Sequence, residues 1–437
     1  MDQTVKNLPW WQLALFGVGC TIGSGFFLGS SLAIRKSGLL VLLLFLLAAI
    51  ATLCVFEALA QMTVNSPQKG SFRTYAKKAY GRWAGFLMGW TYWCSEILIM
   101  GSTLTALGLF SQLWFPAMPL WAFTAVYAIL GLGVVVLGSK GVNKAENFFA
   151  VIKIAALLMF ICVAVLGLVR GAGKWSTLHN SSAWLGEGWQ GPWKGLLYAF
   201  YAFGGIEVMG FMAADLQDPK DAPKAGRVML LAVTVLYMLT AGLSLMFVSH
   251  EKIVHSKSPI VAAFEAMHLP FFVHLINAVM IIAGFSILVA SLYAVSTMLV
   301  TLAQDKDAPK WLAITKGKRE LPLYALGMNA LGLCMSILLG LLLPKQIFEH
   351  ITTAAGLVIL YTWLFILATY LKLLKPGAGG WVKSCTAILL IVAAVSGVLL
   401  ESSGRPGFWS SLMLLLVIGL ITLYMQHKWK IEEPEPH

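Results

Sequence analysis

An apolar segment near the start of the chain, residues 10–34, limits the possible folds more than any other feature. Its 25 residues would form a helix of roughly 38 Å, which is enough to cross a hydrocarbon core of about 30 Å. Yet it contains five glycines: Gly17, Gly19, Gly23, Gly25 and Gly29. Because glycine inside a helix costs about 1 kcal/mol relative to alanine, the pattern predicts a spanning helix that is interrupted midway.

An interruption at that depth has chemical consequences, because the backbone groups that it frees find no partner in lipid. Freed amides at the start of a half-helix favour an anion, and freed carbonyls favour a cation. Discontinuous helices hold small charged substrates in this way in membrane transporters. The alternative interpretation is that the glycines only allow neighbouring helices to pack closely.

A second apolar segment, residues 193–214, has a similar interruption. Two adjacent glycines, Gly204 and Gly205, lie near its middle, and the carboxylate of Glu207 follows them. A pair of interrupted segments in corresponding positions of two halves is the best sequence indication of a transporter's binding site. We therefore predict a substrate site between the two breaks.

Composition defines the environment of the chain. Of 437 residues, 59% are hydrophobic and 11% are charged, and the mean hydropathy is +0.81, which is typical of a polytopic membrane protein. The net charge of +12 comes from the loops and does not indicate a nucleic-acid partner. The six cysteines lie in apolar segments without metal or disulfide spacing. The cytoplasmic loops contain no nucleophile–base pair, phosphate loop or metal-ligand cluster, so we expect no enzyme activity, cofactor or metal.

Hydropathy predicts twelve membrane spans, at residues 10–34, 39–64, 83–110, 121–137, 147–169, 193–214, 227–248, 272–302, 323–343, 346–374, 382–400 and 408–427. An even number of spans puts both termini on one side of the membrane. With the termini in the cytoplasm, 21 of the 31 Lys and Arg residues are cytoplasmic and nine are external, as the positive-inside rule requires.

Overlaying spans one to five on spans six to ten makes the interrupted spans the first of each group. Because five is odd, the two groups have opposite topology. We predict a first repeat at residues 1–170, an inverted repeat at 171–376, and two additional helices with a short cytoplasmic tail at 377–437. Residues 65–80 are expected to form a turn and a basic interfacial helix, and the acidic tail after Trp429 is expected to be disordered.

Four stretches of the chain carry a family resemblance, in the right order and spacing. They are residues 19–29 (GCTIGSGFFLG), 67–76 (PQKGSF with YA following), 203–225 (FGGIE, then DP and PKA) and 293–310 (YAVS leading to DKDAPK). In these motifs the chain resembles the amino acid permeases of the amino acid–polyamine–organocation superfamily, in its bacterial and fungal branch. The resemblance implies an all-α, LeuT-like 5+5 inverted-repeat fold with twelve transmembrane helices, of which helices 1 and 6 are discontinuous.

The resemblance also implies a substrate site. The substrate carboxylate would contact the amides of Ser24 and Gly25 and the Ser24 hydroxyl, and the ammonium would face the carbonyls of Thr21, Tyr201 and Gly204. The predicted substrate-binding set is Thr21, Gly23, Ser24, Gly25, Tyr201, Phe203, Gly204 and Glu207.

Three ionisable residues inside spans are candidates for function, because each costs about 3 kcal/mol or more in the membrane. Lys153 matches, by resemblance, a position where sodium-coupled relatives hold an ion, which implies proton coupling; alternatively it extends to the interface. Glu207 matches a carboxylate linked to gating and proton coupling; alternatively it caps freed amides. Glu96, where relatives often carry an aromatic residue, would select a cationic or hydroxylated side chain if it faces the cavity, and would otherwise bond another helix.

The sequence thus predicts a secondary transporter that imports an amino acid with protons across a bacterial cytoplasmic membrane. Its expected partners are the amino acid, protons and membrane lipid. An amino acid or amine exchanger is the main alternative, and a nutrient-sensing receptor or an ion channel is less favoured. The particular amino acid and the oligomeric state stay open.

Overall fold

The structure, a computed structural model, describes residues 8–68, 70–136, 139–173, 182–253, 257–315, 321–342 and 347–432. Across these ranges the secondary structure is helical, and no β-strand is formed. Nine of the described helices are long and apolar enough to cross a membrane, and two shorter apolar helices accompany them. The predicted class of polytopic, all-α membrane protein is confirmed.

Each predicted span corresponds to helical structure, in two cases as separate pieces. The first six spans and their connections are α1 (Trp10–Thr21), α2 (Ser24–Phe27), α3 (Gly29–Ser37), α4 (Val41–Asn65), α5 (Ser71–Tyr80), α6 (Arg82–Gln112), α7 (Leu120–Val135), α8 (Ser139–Val169), α9 (Ser182–Leu185), α10 (Gly191–Tyr201) and α11 (Ile206–Met212). The remainder are α12 (Ala222–Phe247), α13 (Pro259–Ala266), α14 (Pro270–Gln304), α15 (Leu323–Leu342), α16 (Ile347–Leu374), α17 (Ala378–Gly397) and α18 (Arg405–Glu432).

The predicted interruption of the first span is present between α1 and α2. Ile22 and Gly23 leave the helical conformation there: Ile22 has φ of −77° and ψ of 106°, and Gly23 has φ of −168° and ψ of −147°. A β-carbon at position 23 would lie 2.0 Å from the end of the Ile287 side chain, so a larger residue there would require that side chain to move. The chain becomes helical again at Ser24 and continues through α2 and α3.

The second interruption lies between α10 and α11, and it touches the first. Gly205 has φ of +111°, a backbone conformation that residues with a β-carbon rarely adopt. A β-carbon on Gly205 would lie 2.5 Å from the carbonyl oxygen of Cys20. Glycine therefore serves both the turn and the close approach of the two broken helices.

Span five begins earlier than predicted, and span twelve ends later. Helix α8 starts at Ser139 instead of residue 147, so Glu146 lies within it. Helix α18 continues to Glu432, so the prediction of disorder after Trp429 was wrong for its first three residues.

Several predictions concern residues outside the described part of the chain. These are the ends of the fourth, ninth and tenth spans (137, 343 and 346), the remainder of the tail (433–437), and, of the basic residues counted for orientation, Lys6, Lys69, Lys174, Lys316, Lys318, Arg319 and Lys345.

The predicted basic helix after span two is α5, and ion pairs join it to the end of α14. The buried guanidinium of Arg73 contacts Asp305 at 2.7 Å and Asp307 at 2.6 Å, and Arg82 contacts Asp307 at 2.7 Å. Burial raises the pKa of Asp305, but hydrogen bonds from Lys77 and Arg73 outweigh it, so this pKa lies below its ordinary value. The resulting stabilisation is present above the ordinary pKa and is lost as the pH falls through the lowered one.

Candidate functional site

A cavity lies where the two breaks meet. It encloses about 30 Å³, which is room for roughly two water molecules. Residues from α6, α14 and α16 complete its wall. The lining residues are Cys20, Thr21, Ser24, Gly25, Glu96, Ile99, Thr103, Tyr201, Gly204, Gly205, Val208, Ile287, Ala290, Ser291 and Ile359.

The cavity brings together most of the residues predicted for substrate binding. Thr21, Ser24, Gly25, Tyr201 and Gly204 line it, as does Glu96. The other predicted residues do not line it, and they are Gly23, Lys153, Phe203 and Glu207.

Aromatic rings pack behind the cavity and include Phe203. Its ring centre lies 5.3 Å from that of Tyr237 and 6.4 Å from that of Phe45. Tyr237 also stacks on Phe26, with ring centres 3.8 Å apart. Phe203 therefore anchors the second break in the core instead of facing the cavity.

Two polar contacts organise the first break. The hydroxyls of Ser24 and Thr103 lie 3.0 Å apart, which ties the start of α2 to α6. The Tyr237 hydroxyl lies 3.1 Å from the Thr21 carbonyl oxygen and 2.9 Å from that of Ala202. Because a hydroxyl has one hydrogen, Tyr237 donates to one carbonyl at a time and spans both breaks.

Lys153 lies directly behind the first break. Its side chain is fully buried, so it does not extend to the membrane interface. Its ammonium donates to the Gly19 carbonyl at 2.5 Å and to the Ser286 hydroxyl at 2.9 Å. The lysine thus joins α8 to α1, at a glycine four residues before Gly23, and to α14.

Glu146 completes this cluster and was missed by the sequence reasoning. Its carboxylate accepts a hydrogen bond of 2.5 Å from the Ser286 hydroxyl, and the side chain is fully buried. Ser286 can therefore donate to Glu146 while it accepts from Lys153. The predicted span began one residue too late to include Glu146, although a spacing of seven residues puts it on the same helix face as Lys153.

Glu207 holds the second break. One carboxylate oxygen accepts from the Gly205 amide at 2.9 Å, and the other accepts from the Trp363 indole N–H. The side chain is fully buried. Both partners are N–H donors, so the carboxylate caps a freed amide and fastens α11 to α16.

Glu96 faces the cavity from α6. Only 1% of the residue is exposed, and it lies beside Ser291 and Tyr92. Its Oε2 atom is buried without a hydrogen bond. The carboxylate is therefore an incompletely satisfied polar group in the cavity wall.

Helical spans that surround a small cavity between two broken helices have the architecture of a secondary transporter. Comparison with known proteins agrees. The family model "Amino acid permease" matches residues 12–427, and the chain belongs to the amino acid permease family. Membership indicates a multi-pass membrane protein that transports amino acids rather than an enzyme.

Three relatives match over most of their length. The chain is 50% identical over 431 residues to "Uncharacterized transporter YcgH" of Bacillus subtilis, covering 98% of this chain and 96% of the relative. It is 30% identical over 376 residues to "Uncharacterized amino acid permease YtnA" of Bacillus subtilis, covering 84% and 81%. It is 28% identical over 450 residues to "Aromatic amino acid transport protein AroP" of Escherichia coli K12, covering 97% and 96%.

Proposed function

We propose that this protein imports an amino acid with protons across the cytoplasmic membrane of a bacterium, with both termini in the cytoplasm. The observation that carries the proposal is the hydrogen bond from the buried Lys153 ammonium to the Gly19 carbonyl. It connects an ionisable group to the broken helix that lines the cavity. The charge state of Lys153, a side chain outside the cavity wall, can thereby influence the shape of the site.

The substrate's charged groups would bind at the two breaks. Amides in the first turn after a break have no acceptor within their helix, so those of Ser24 and Gly25 are suited to the carboxylate. The Ser24 hydroxyl, which lies beside Thr103, adds a further donor. Carbonyls of Thr21, Tyr201 and Gly204 in the cavity wall are suited to the ammonium.

Proton coupling would operate through Lys153. As an ammonium it has donors for both Gly19 and Ser286, and its positive charge compensates the negative charge of the nearby Glu146. A neutral amine keeps fewer donors and loses the charge-assisted character of these bonds, which weakens them. Deprotonation would therefore loosen the hold of α8 on α1 and favour movement of the first broken helix.

Movement would follow the repeat organisation, with repeats at residues 1–170 and 171–376. A bundle of spans one, two, six and seven would rock against spans three, four, eight and nine, which exposes the site alternately to each side. The rival to symport is obligate exchange, in which transport stalls without substrate on the far side.

Replacing Lys153 with alanine is expected to reduce accumulation driven by a pH gradient at least about tenfold while amino acid exchange persists. The residues that line the cavity stay in place, but the ionisable group that joins α8 to α1 is gone. A tenfold change corresponds to about 1.4 kcal/mol of coupling. The measurement is uptake of labelled amino acid into proteoliposomes at several pH values, with and without internal substrate. Lys252→Ala, at an exposed position, is the matched control.

Proton symport and obligate exchange predict different results in this assay. Accumulation by Lys153→Ala with the pH dependence of the unmodified protein would overturn the coupling role. Uptake by the unmodified protein only when substrate is loaded inside would replace symport with exchange.

A further inference from the structure

We propose that the cavity takes an amino acid with a positively charged side chain, and that Glu96 recognises this charge. The inference rests on the proposed amino acid transport and specifies its substrate class. It starts from an observation that the proposed function leaves unused. A carboxylate lies in the cavity wall, almost fully buried, with one oxygen that makes no hydrogen bond.

A buried carboxylate requires a cation or several donors. None of the residues that line the cavity is a lysine, an arginine or a histidine. The buried ammonium behind the wall, Lys153, already donates to Gly19 and Ser286. The neighbours of Glu96 are Ser291 and Tyr92, which offer neutral hydroxyls. The missing charge is therefore best supplied by a substrate.

The position of Glu96 on α6 sets the distance that a substrate must span between its own carboxylate and the charge at the end of its side chain. Thr103, on the same helix, contacts Ser24 and so marks the end of the cavity where the carboxylate would bind. Glu96 precedes Thr103 by seven residues, which is about two turns and roughly 10 Å on the same face. A long side chain is needed to cover this distance, and the four-carbon stem of lysine or the stem of arginine provides one.

The walls between these two ends suit an aliphatic stem. Ile99, Ile287 and Ile359 contribute apolar surface to the cavity, against which the methylenes of a basic side chain can pack while its charge reaches the carboxylate. An aromatic or aliphatic side chain would instead cover Glu96 with apolar atoms and leave its carboxylate without a positively charged partner. Because the cavity encloses about 30 Å³ in this conformation, the substrate would enter a wider state of the same site.

Lysine and norleucine form a matched pair of probes, because they share the stem and differ in the terminal ammonium. We expect the purified full-length protein to bind lysine at least about tenfold more tightly than norleucine, as a desolvated charge pair predicts. In Glu96→Gln the ratio should fall to about twofold or less. Arginine and phenylalanine extend the panel, and Glu265→Gln, at an exposed position of α13, is the control that should keep the ratio.

Binding is measured by competition against a labelled ligand, with thermal unfolding and gel filtration to confirm that Glu96→Gln is folded. Equal affinity for lysine and norleucine in the unmodified protein would overturn the inference without any variant. An unchanged ratio in folded Glu96→Gln would overturn it as well. Binding of neutral amino acids alone would leave amino acid transport standing and remove only the charge preference, whereas binding of no amino acid at all would overturn both.

Discussion

Replacing Gly25 with valine is expected to weaken amino acid binding at least about 100-fold, a loss of roughly 2.7 kcal/mol, in a protein that still folds. A β-carbon at this position would lie 3.0 Å from the carbonyl oxygen of Tyr201 and 3.3 Å from its ring. The two γ-methyl groups of valine would extend further and fill a cavity of only about 30 Å³. They would separate the two breaks at the point where substrate would meet the backbone.

A graded series makes this prediction specific to the site. Gly25→Ala adds only the β-carbon and should have a smaller effect than valine. Gly29→Ala lies one turn later, and its β-carbon would meet Tyr201 and Tyr198 at ordinary contact distances of 3.7 and 3.8 Å. This control should bind normally. Undiminished affinity in folded Gly25→Val would mean that substrate does not bind between the breaks.

Removing the carboxylate of Glu207 is expected to have the second largest effect. Glu207→Ala leaves the Gly205 amide and the Trp363 indole without their acceptor, and each buried donor left unpaired costs about 1–3 kcal/mol. The second break would lose its fixed shape, so binding and stability should fall together. Glu207→Gln keeps one acceptor oxygen and turns an amide group towards the other donor. One of the two hydrogen bonds is then lost, so Glu207→Gln should bind more weakly than the unmodified protein but better than Glu207→Ala. It should transport slowly, with a flattened pH profile, because its side chain cannot ionise.

Transport by each Glu207 variant, measured between pH 5 and 8 beside equilibrium binding, tests this expectation. Trp363→Phe removes only the indole donor and leaves the cap on Gly205, so it should lie between the unmodified protein and Glu207→Ala. Normal transport rates for Glu207→Gln across this pH range would show that the residue is only a structural cap.

Local patterns in the sequence were sufficient to predict the spans and both breaks. Long apolar runs indicate membrane helices because lipid leaves the backbone no other partner. Glycines within such runs indicate breaks, and the structure shows the reason at Gly205, where φ is positive and the Cys20 carbonyl approaches closely. The family resemblance, rather than these patterns, implied Thr21, Ser24 and Gly25 as site residues, and all three line the cavity.

Contacts between distant helices could not be predicted in this way. Thr103, Tyr237 and Trp363 are single polar or aromatic residues within apolar helices, and nothing in their neighbouring residues identifies their partners. Phe203 belonged to the predicted substrate-binding set, but tertiary packing turns its ring into the core. Glu146 was missed because the ends of helices are the least reliable part of any sequence-based prediction.

The most direct test of the account is uptake of each of the twenty amino acids by the purified protein in proteoliposomes, with a pH gradient imposed. An inward proton gradient should drive at least one amino acid above its external concentration, and dissipating the gradient should abolish this accumulation. Failure of every amino acid to accumulate or to exchange, in vesicles shown to contain folded protein, would contradict the account.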